Sequence, residues 1–152
     1  MIRLADEVRE ALAAGGAVVA LETTLVAHGF PPGEGVEVGL ESERQVRAAG
    51  AVPATVGVLD SEVRVGLTEE ELARFGSSAR KVGPRDLAAA AVQGAIGATT
   101  VGGTLAVARA AGIRILATGG IGGVHRGFPI RRTSRPTSRS WRGLPRSSSR
   151  RA

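Results

Sequence analysis

The sequence predicts an α/β fold of three layers, in which helices cover both faces of a mixed, largely parallel sheet. Two features support this prediction. Short apolar runs rich in β-branched residues alternate along residues 1–127 with segments whose apolar residues recur at helical spacing. Glycine or proline stands at many of the junctions between them. A chain that alternates strands with helices favours parallel pairing, because each parallel connection needs a crossover, usually a helix.

Helices are expected where apolar residues recur every three or four positions. Thr68 and Glu71 form a capping box at the start of one helix, which we expect to end near Gly76. Pro84 suits the first turn of the next helix, where its missing N–H would have no partner in any case. The predicted helices cover residues 6–14, 36–49, 68–76, 84–93 and 104–111.

Strands are expected at the apolar, β-branched runs. Asp60 and Ser61 separate two such runs and predict a hairpin turn. A loop is expected around His28, a second loop contains Lys81, and a third, rich in glycine, covers residues 118–126. The predicted strands cover residues 17–21, 54–59, 62–65, 99–101 and 113–117.

Composition limits the class of protein. The 152 residues are enough for one domain of ordinary size, and 43% of them are apolar. Aromatic residues make up only 3%, so Val, Ala, Leu and Ile must build the core. The absence of cysteine excludes disulfides and thiolate metal sites and fits a cytoplasmic protein. No apolar run approaches the roughly 20 residues of a membrane span, and the first residues do not resemble a signal peptide.

Charge is distributed unevenly between the body of the chain and its end. Residues 1–125 contain all 14 acidic residues and 11 of the 20 basic ones, a net charge of −3. Residues 126–152 contain nine arginines and no acidic residue, a net charge of +9. From residue 128 onward Arg, Ser and Pro dominate and no apolar period remains, which predicts disorder. The sequence thus divides into a folded part, residues 1–127, and a disordered tail, residues 128–152.

Two charged residues are candidates for chemistry. Glu22 follows a predicted buried strand, where a half-buried carboxyl group can have its pKa raised and donate a proton. It can equally be a loop cap or the partner of an arginine. Lys81 is the only lysine in a chain with 19 arginines, and a compact ammonium suits phosphate or sugar oxygens. A solvated loop cation is the alternative interpretation for Lys81.

The glycine-rich segment over residues 119–123 and the two histidines are weaker candidates. A loop of this kind can bring backbone N–H groups to a phosphate, but a tight turn needs the same glycines. His28 and His125 are the only histidines, and no acidic cluster accompanies them, so a metal site within this chain is not expected. No nucleophile elbow of the serine hydrolases is present.

Five segments, taken in order, resemble a single family. The longest match is the glycine-rich loop after the last predicted strand. The segments are residues 18–24 with His28 and Gly29, residues 50–55, Lys81 and Val82 with residues 85–87, residues 97–101, and residues 117–127. On these motifs the chain is similar to the pseudouridine-5'-phosphate glycosidases, also called the indigoidine synthase A-like family.

The resemblance implies reversible cleavage of the C–C glycosidic bond of pseudouridine 5'-phosphate to uracil and ribose 5-phosphate. Family members use a lysine that forms an imine with ring-opened ribose, a glutamate as proton donor, and a manganese ion held by an aspartate. By position, Glu22 matches the proton donor, and Lys81, Val101, Thr118 and His125 match substrate contacts. A cytoplasmic homotrimer that binds small molecules, with no membrane or specific nucleic-acid partner, is also implied.

The family's nucleophilic lysine and metal-binding aspartate should follow Gly127, yet residues 128–152 contain neither lysine nor aspartate. Loss of one nucleotide shortly after the Gly127 codon would explain this. With permissible codons, the original frame of residues 133–145 is then Asp-Ile-Ser-Ala-Asp-Leu-Thr-Glu-Leu-Ala-Arg-Thr-Pro, which is similar to the family's next segment. We therefore expect an incomplete sheet, no glycosidase activity and poor stability.

Two other interpretations remain open. The chain can be a non-enzymatic α/β binding protein whose cationic tail holds a polyanion through arginine–phosphate contacts. It can also be a short family member whose missing half comes from another chain. A salt-dependent gel shift that is lost without residues 128–152 favours the first, and co-purification with a partner that carries the missing lysine favours the second.

Overall fold

The computed structural model describes residues 1–31 and 33–121, which form seven strands and six helices. The strands are β1 Ile2–Leu4, β2 Val18–Glu22, β3 Val52–Leu59, β4 Glu62–Val65, β5 Arg80–Val82, β6 Gly97–Thr99 and β7 Ile115–Ala117. The helices are α1 Asp6–Ala13, α2 Thr24–His28, α3 Gly35–Ala48, α4 Glu69–Leu72, α5 Leu87–Val92 and α6 Val101–Ala110. The predicted tail, residues 128–152, lies outside the described residues.

All seven strands belong to one mixed sheet. Its main order is β1-β4-β3-β2-β7, and β6 pairs with β3 on one side and β5 on the other. The pairs β1–β4, β2–β3, β2–β7 and β5–β6 are parallel, whereas β3–β4 and β3–β6 are antiparallel. Four of the six pairings are therefore parallel, which confirms the predicted mixed, largely parallel sheet.

Helices cover both faces of this sheet. On one face α1, α5 and α6 bury Val8, Ala90 and Val107 against the valines of β3 and β4. On the other face α2 and α4 bury Val26 and Leu72, and α3 packs beside them. Because aromatic side chains are scarce, these two cores consist mainly of small aliphatic residues. The three-layer arrangement follows from these two separate apolar clusters.

Several predicted elements are confirmed. The hairpin turn at Asp60 and Ser61 is present, with φ values of 50° and 63°, and β4 has the predicted bounds. The capping box of α4 is formed, with the Glu71 N–H donating to Thr68 Oγ1 at 3.2 Å. This helix ends at Leu72 rather than near Gly76.

The helices described within residues 1–31 and 33–121 include none with the length and apolar character that a membrane span requires.

The prediction that Lys81 lies in a loop was wrong. Residues 80–82 form β5, whose residues Lys81 and Val82 pair in parallel with Ala98 and Thr99 of β6. Only Val82 of the three is buried, so the segment lacks the apolar run that marks a buried strand in a sequence. Pairing with β6, and not local pattern, makes it a strand. The strand β1 and the helix α2 were also missed, because three and five residues are too few to show a periodic pattern. The predicted loop around His28 was wrong at that residue, since His28 is the last residue of α2.

The predicted strand over residues 99–101 was displaced. The strand β6 ends at Thr99, and Val101 is instead the first residue of α6. Thr100 causes the change, because its Oγ1 accepts a hydrogen bond from the Gly103 N–H at 3.2 Å and caps the helix. Similarly, α5 begins at Leu87 rather than at residue 84, after a turn that precedes it.

Candidate functional site

The carboxyl ends of β2 and β6 meet beside the middle of β3. Glu22, the last residue of β2, is paired with Val56 of β3. The antiparallel strand β6 occupies the next stretch of β3, where Ala98 pairs with Gly57, and runs towards the same point. Because side chains and loops at strand ends form most α/β sites, this meeting point is the first place to expect chemistry.

A cluster of buried threonines joins the two strand ends. The carbonyl oxygen of Val56 accepts a hydrogen bond from Thr23 Oγ1 at 2.8 Å and another from Thr99 Oγ1 at 2.6 Å. The Thr99 N–H donates in turn to Thr23 Oγ1 at 2.8 Å. Thr104 Oγ1 lies 2.9 Å from Thr99 Oγ1 and is the donor in that pair, because the Thr99 hydroxyl hydrogen is already used. These three threonines have no exposed surface.

The short helix α2 adds two further hydrogen bonds to this junction. Thr24 Oγ1 at its start donates to the Thr99 carbonyl oxygen at 2.9 Å. His28 at its end donates from Nε2 to the Ala79 carbonyl oxygen at 2.9 Å, just before β5. The helix therefore connects the end of β2 to β6 and to the residue before β5. The His28 ring takes part in this connection and so has a structural role.

Glu22 is half-buried at the junction and is held by a residue from another strand. Thr118, which directly follows β7, donates a hydrogen bond from Oγ1 to Glu22 Oε1 at 2.5 Å. The parallel register of β2 and β7, which sets Leu21 opposite Ala117, brings the two side chains together. Burial raises the pKa of Glu22, and the Thr118 hydrogen bond opposes that rise. The carboxyl group thus keeps its proton closer to neutral pH than an exposed glutamate does.

A cavity of about 660 Å³ opens beside Glu22. Its floor is formed by β2 and β7, its wall by α2 and α3, and most of its lining is apolar, including Leu21, Leu25 and Ile115. Glu22 and Thr118 lie where the floor strands end, so they contribute polar groups at the cavity rim. A cleft with apolar walls and a few polar groups is the usual form of a small-molecule site.

Lys81 and Val101 lie on neighbouring elements, away from the Glu22 cavity. The Thr100 N–H donates to the Val82 carbonyl oxygen at 2.9 Å, so the end of β5 lies against the start of α6. Lys81 is exposed, Val101 is buried, and neither lines the cavity that contains Glu22. Glu22 pairs with Val56, which belongs to the core on one face of the sheet, whereas Lys81 pairs with Ala98, which belongs to the core on the other. Because paired residues project to the same face, the Glu22 and Lys81 side chains leave the sheet on opposite faces.

The described structure therefore brings only some of the predicted site residues together. The structure brings Glu22 to Thr118 and sets the end of β5, which contains Lys81, against Thr100, the residue before Val101. The threonine cluster lies between these two places, since Thr23 follows Glu22 and Thr99 precedes Thr100. His125 lies outside the described residues. All five roles remain predictions. The threonine cluster itself was missed, although two Thr-Thr pairs at strand ends, Thr23-Thr24 after β2 and Thr99-Thr100 at the end of β6, were the signal that could have revealed it.

Manganese was predicted from the resemblance alone. Among residues 1–31 and 33–121, no three side chains of His, Cys, Asp or Glu come together in a way that could hold a metal ion. The acids of this region are instead spread over helix surfaces and ion pairs, such as Glu7 with Arg47. The described residues alone therefore do not fit the metal, and manganese stays a prediction.

The fold and this site define an α/β protein with a half-buried acid at the junction of two strand ends. Residues 7–133 match the family model described as "Indigoidine synthase A like protein". The chain therefore belongs to the indigoidine synthase A-like family.

Relatives with assigned names support the same family. The chain is 53% identical over 130 residues to a pseudouridine-5'-phosphate glycosidase of Chloroflexus aurantiacus, covering 84% of this chain and 43% of the relative. It is 54% identical over 125 residues to the protein of the same name from Streptomyces griseus, covering 81% and 39%. The chain thus spans about two fifths of the length of these relatives.

Two solved structures have the same fold. The prealnumycin C-glycosynthase AlnA, in complex with ribulose 5-phosphate, is 43% identical, with a TM-score of 0.70 over 83% of this chain and 41% of that one. An indigoidine synthase A-like protein from Thermotoga maritima is 35% identical, with a TM-score of 0.71 over 84% and 42%. These similarities agree with the α/β architecture described above.

Proposed function

We propose that this chain supplies the proton-donor side of a pseudouridine-5'-phosphate glycosidase site. The whole enzyme would cleave the C–C glycosidic bond of pseudouridine 5'-phosphate reversibly to uracil and ribose 5-phosphate. The observation that carries the proposal is the Glu22 carboxyl group, half-buried at the end of β2 and held by Thr118. The names of the relatives support the substrate, and the family motif around Glu22 supports the role.

The proposed chemistry requires an acid at this point. When the C–C bond breaks, its electron pair goes to the uracil carbon, which must then gain a proton. A carboxyl group with a raised pKa remains protonated in a larger fraction of molecules near neutral pH and is suited to donate it. The Thr118 hydroxyl hydrogen-bonds the carboxylate that remains, so the same contact orients the acid and stabilises its ionised form.

The sugar half of the reaction requires groups that residues 1–127 do not contain. The resemblance places the imine-forming lysine after Gly127, and the only lysine of this chain, Lys81, matches a substrate contact instead. We propose that Lys81, Val101, Thr118 and His125 contact the sugar phosphate. For the whole enzyme, a manganese ion, a homotrimeric assembly and a cytoplasmic location are further parts of this proposal.

The direct test is an assay of uracil release from pseudouridine 5'-phosphate by the purified chain. We expect none above a no-protein control, because the imine-forming amine is missing. Release that scales with protein concentration and is lost in a Lys81→Met variant would overturn the assignment of Lys81 to binding. Sequencing the codons for residues 127–132 tests independently whether a nucleotide has been lost.

Substrate binding is tested separately from turnover. In a titration with ribose 5-phosphate followed by NMR, we expect shifts of the amide signals of Thr118, Val101 and Lys81. Ribulose 5-phosphate is the second probe, since the solved C-glycosynthase relative was obtained with that sugar phosphate and is 43% identical. Stronger binding of ribulose 5-phosphate would favour a C-glycoside synthase over a glycosidase. Shifts confined to the surface of α3 would contradict both.

A further inference from the structure

One backbone carbonyl lies at a break between two strands on the same edge of β3. The strand β2 pairs with β3 as far as Val56, and β6 begins its pairing at the next residue, Gly57, while β4 occupies the opposite edge. At this break the Val56 carbonyl oxygen accepts hydrogen bonds from the hydroxyl groups of Thr23 and Thr99. Since a carbonyl oxygen has two lone pairs, the two side chains satisfy it fully.

Both threonines are neighbours of residues assigned to the proposed site. Thr23 directly follows Glu22, and Thr99 directly precedes Thr100, which caps α6 so that Val101 begins the helix. The Thr99 N–H also donates to Thr23 Oγ1 at 2.8 Å. The Thr23 hydroxyl therefore connects the strand end that carries the acid to the strand end that leads into α6.

The Thr23 hydroxyl is suited to fix this relationship. Thr23 has no exposed surface, and its hydroxyl both donates to the Val56 carbonyl and accepts from the Thr99 N–H. A fully satisfied buried polar network makes a structure rigid, because each group that moves away loses a hydrogen bond that water does not replace. Valine has the same shape and would fill the space without burying a hydroxyl, so packing alone does not account for threonine here.

We propose that Thr23 is a positioning residue whose hydroxyl holds Glu22 at a fixed place relative to the start of α6. This inference rests on the proposed function, in which Glu22 is the acid and Val101 contacts the sugar phosphate. Val101 does not line the cavity beside Glu22, so the two residues need a connection through the protein to act on one substrate. Thr23 is fully buried and acts only through its neighbours.

The test is NMR spectroscopy of the full chain with Thr23→Val and the conservative variant Thr23→Ser. In the wild type the Thr118 amide signal should shift as Glu22 titrates, because the Thr118 hydroxyl donates to that carboxyl group. Thr23→Val should reduce this pH-dependent shift by about half or more, since a hydrogen bond weakens steeply as its geometry is lost. It should also weaken ribose 5-phosphate binding by about fivefold or more, measured by calorimetry. Thr23→Ser, which keeps the hydroxyl, should restore both.

The control for general destabilisation is Val8→Ala. Val8 is buried in the core beneath α1, so its truncation should lower the melting temperature. It makes no hydrogen bond to the junction, and we expect the Thr118 shift and the ribose 5-phosphate affinity to stay at wild-type values. If Thr23→Val does not fold, Thr23→Ala replaces it, because the smaller side chain leaves room for water at the two unpaired groups.

A measurement on the wild type tests the same connection without altering Thr23. The Thr99 amide, which donates to Thr23 Oγ1, should shift as Glu22 titrates, and Glu22→Gln should abolish that response. A Thr99 amide that does not respond in the wild type overturns the proposal.

Four further results overturn it. They are a full Thr118 shift in the folded Thr23→Val or Thr23→Ala variant, a loss in Thr23→Ser equal to that in the valine variant, an equal loss in Val8→Ala, and unchanged ribose 5-phosphate affinity when the Thr118 shift is lost. The proposed function fails separately. If the wild type binds no ribose 5-phosphate, the sugar-phosphate assignment is wrong, whereas a Thr118 shift that depends on the Thr23 hydroxyl would still support the positioning of Glu22.

Discussion

Thr118 Oγ1 donates a hydrogen bond to Glu22 Oε1 across the ends of β2 and β7, although the two residues lie 96 positions apart in the chain. This contact makes the candidate acid dependent on β7, the last strand of the sheet among residues 1–31 and 33–121. Burial raises the pKa of Glu22, while the hydrogen bond from the Thr118 hydroxyl lowers it. A shift of β7 that moves Thr118 away would therefore raise the pKa of Glu22. The pKa of Glu22 therefore reports whether β7 holds Thr118 within hydrogen-bond distance.

Replacing Thr118 by valine should raise the pKa of Glu22 further. The substitution preserves the side-chain shape but removes the donor that favours the ionised carboxylate, leaving burial unopposed. The measurement is an NMR titration of the Glu22 side-chain carboxyl carbon. Thr118→Ser, which keeps the hydroxyl, is the control and should titrate close to wild type. A lower pKa in the valine variant would contradict the geometry described here.

Replacing Glu22 by glutamine should change the pH dependence of stability. Because the pKa of Glu22 is raised in the folded state, its contribution to stability is present below about pH 4.5 and is lost as the pH rises through the folded-state pKa. The Glu22→Gln variant does not titrate, so relative to wild type it should gain stability between pH 4 and pH 8. We expect a gain below about 1 kcal/mol, because the group is partly exposed to solvent. Urea unfolding at both pH values measures it, and a relative loss would refute the prediction.

Replacing Thr23 by valine should destabilise the junction of β2 and β6 by about 1–3 kcal/mol. The hydroxyl both donates to the Val56 carbonyl and accepts from the Thr99 N–H, so valine leaves two buried groups without that partner. Thr23→Ser keeps both hydrogen bonds and should be the less destabilised variant. Urea unfolding of the two proteins gives the comparison, and an equal loss would show that packing, not hydrogen bonding, matters at this position.

Replacing Gly35 by alanine should be severely destabilising, by about 4 kcal/mol or more. A Cβ at this position would lie 1.8 Å from the Val26 carbonyl oxygen, where α3 crosses α2, and backbone cannot move aside cheaply. Gly76→Ala is the matched control, since a Cβ there meets nothing within 4 Å. Thermal unfolding should show the control within a few degrees of wild type. A mild effect at Gly35 would mean that α2 and α3 are not packed this closely.

Replacing Lys81 by methionine should weaken ribose 5-phosphate binding by about tenfold if Lys81 contacts the phosphate or sugar. Methionine keeps the length and apolar stem and removes only the ammonium charge. The neighbouring Arg80→Met removes the same charge from a residue that hydrogen-bonds Gln93 at 2.8 Å, and it should bind like wild type. Calorimetry on both variants decides the matter. Equal affinity of the two variants would show that Lys81 does not belong to the site. Its position outside the Glu22 cavity would then be the explanation.

Periodicity in the sequence predicted elements that carry a clear apolar pattern well and elements without one poorly. α3 and β4 each carry a clear pattern and lie within about one residue of their predicted bounds. β5, with two exposed charged residues out of three, has no pattern of its own, and its pairing with β6 makes it a strand. Val101 changed from a predicted strand to a helix start because the Thr100 cap overrides its β-branched preference.

The sequence by itself determined the α/β class, the family motifs, and the candidacy of Glu22, because all three are local patterns of residue type and spacing. Only the tertiary structure decided which side chains share a site. The hydrogen bond from Thr118 to Glu22, and the convergence of Thr23 and Thr99 on the Val56 carbonyl, depend on strand order and register. Strand order joins residues far apart in the chain, so no local pattern can record it.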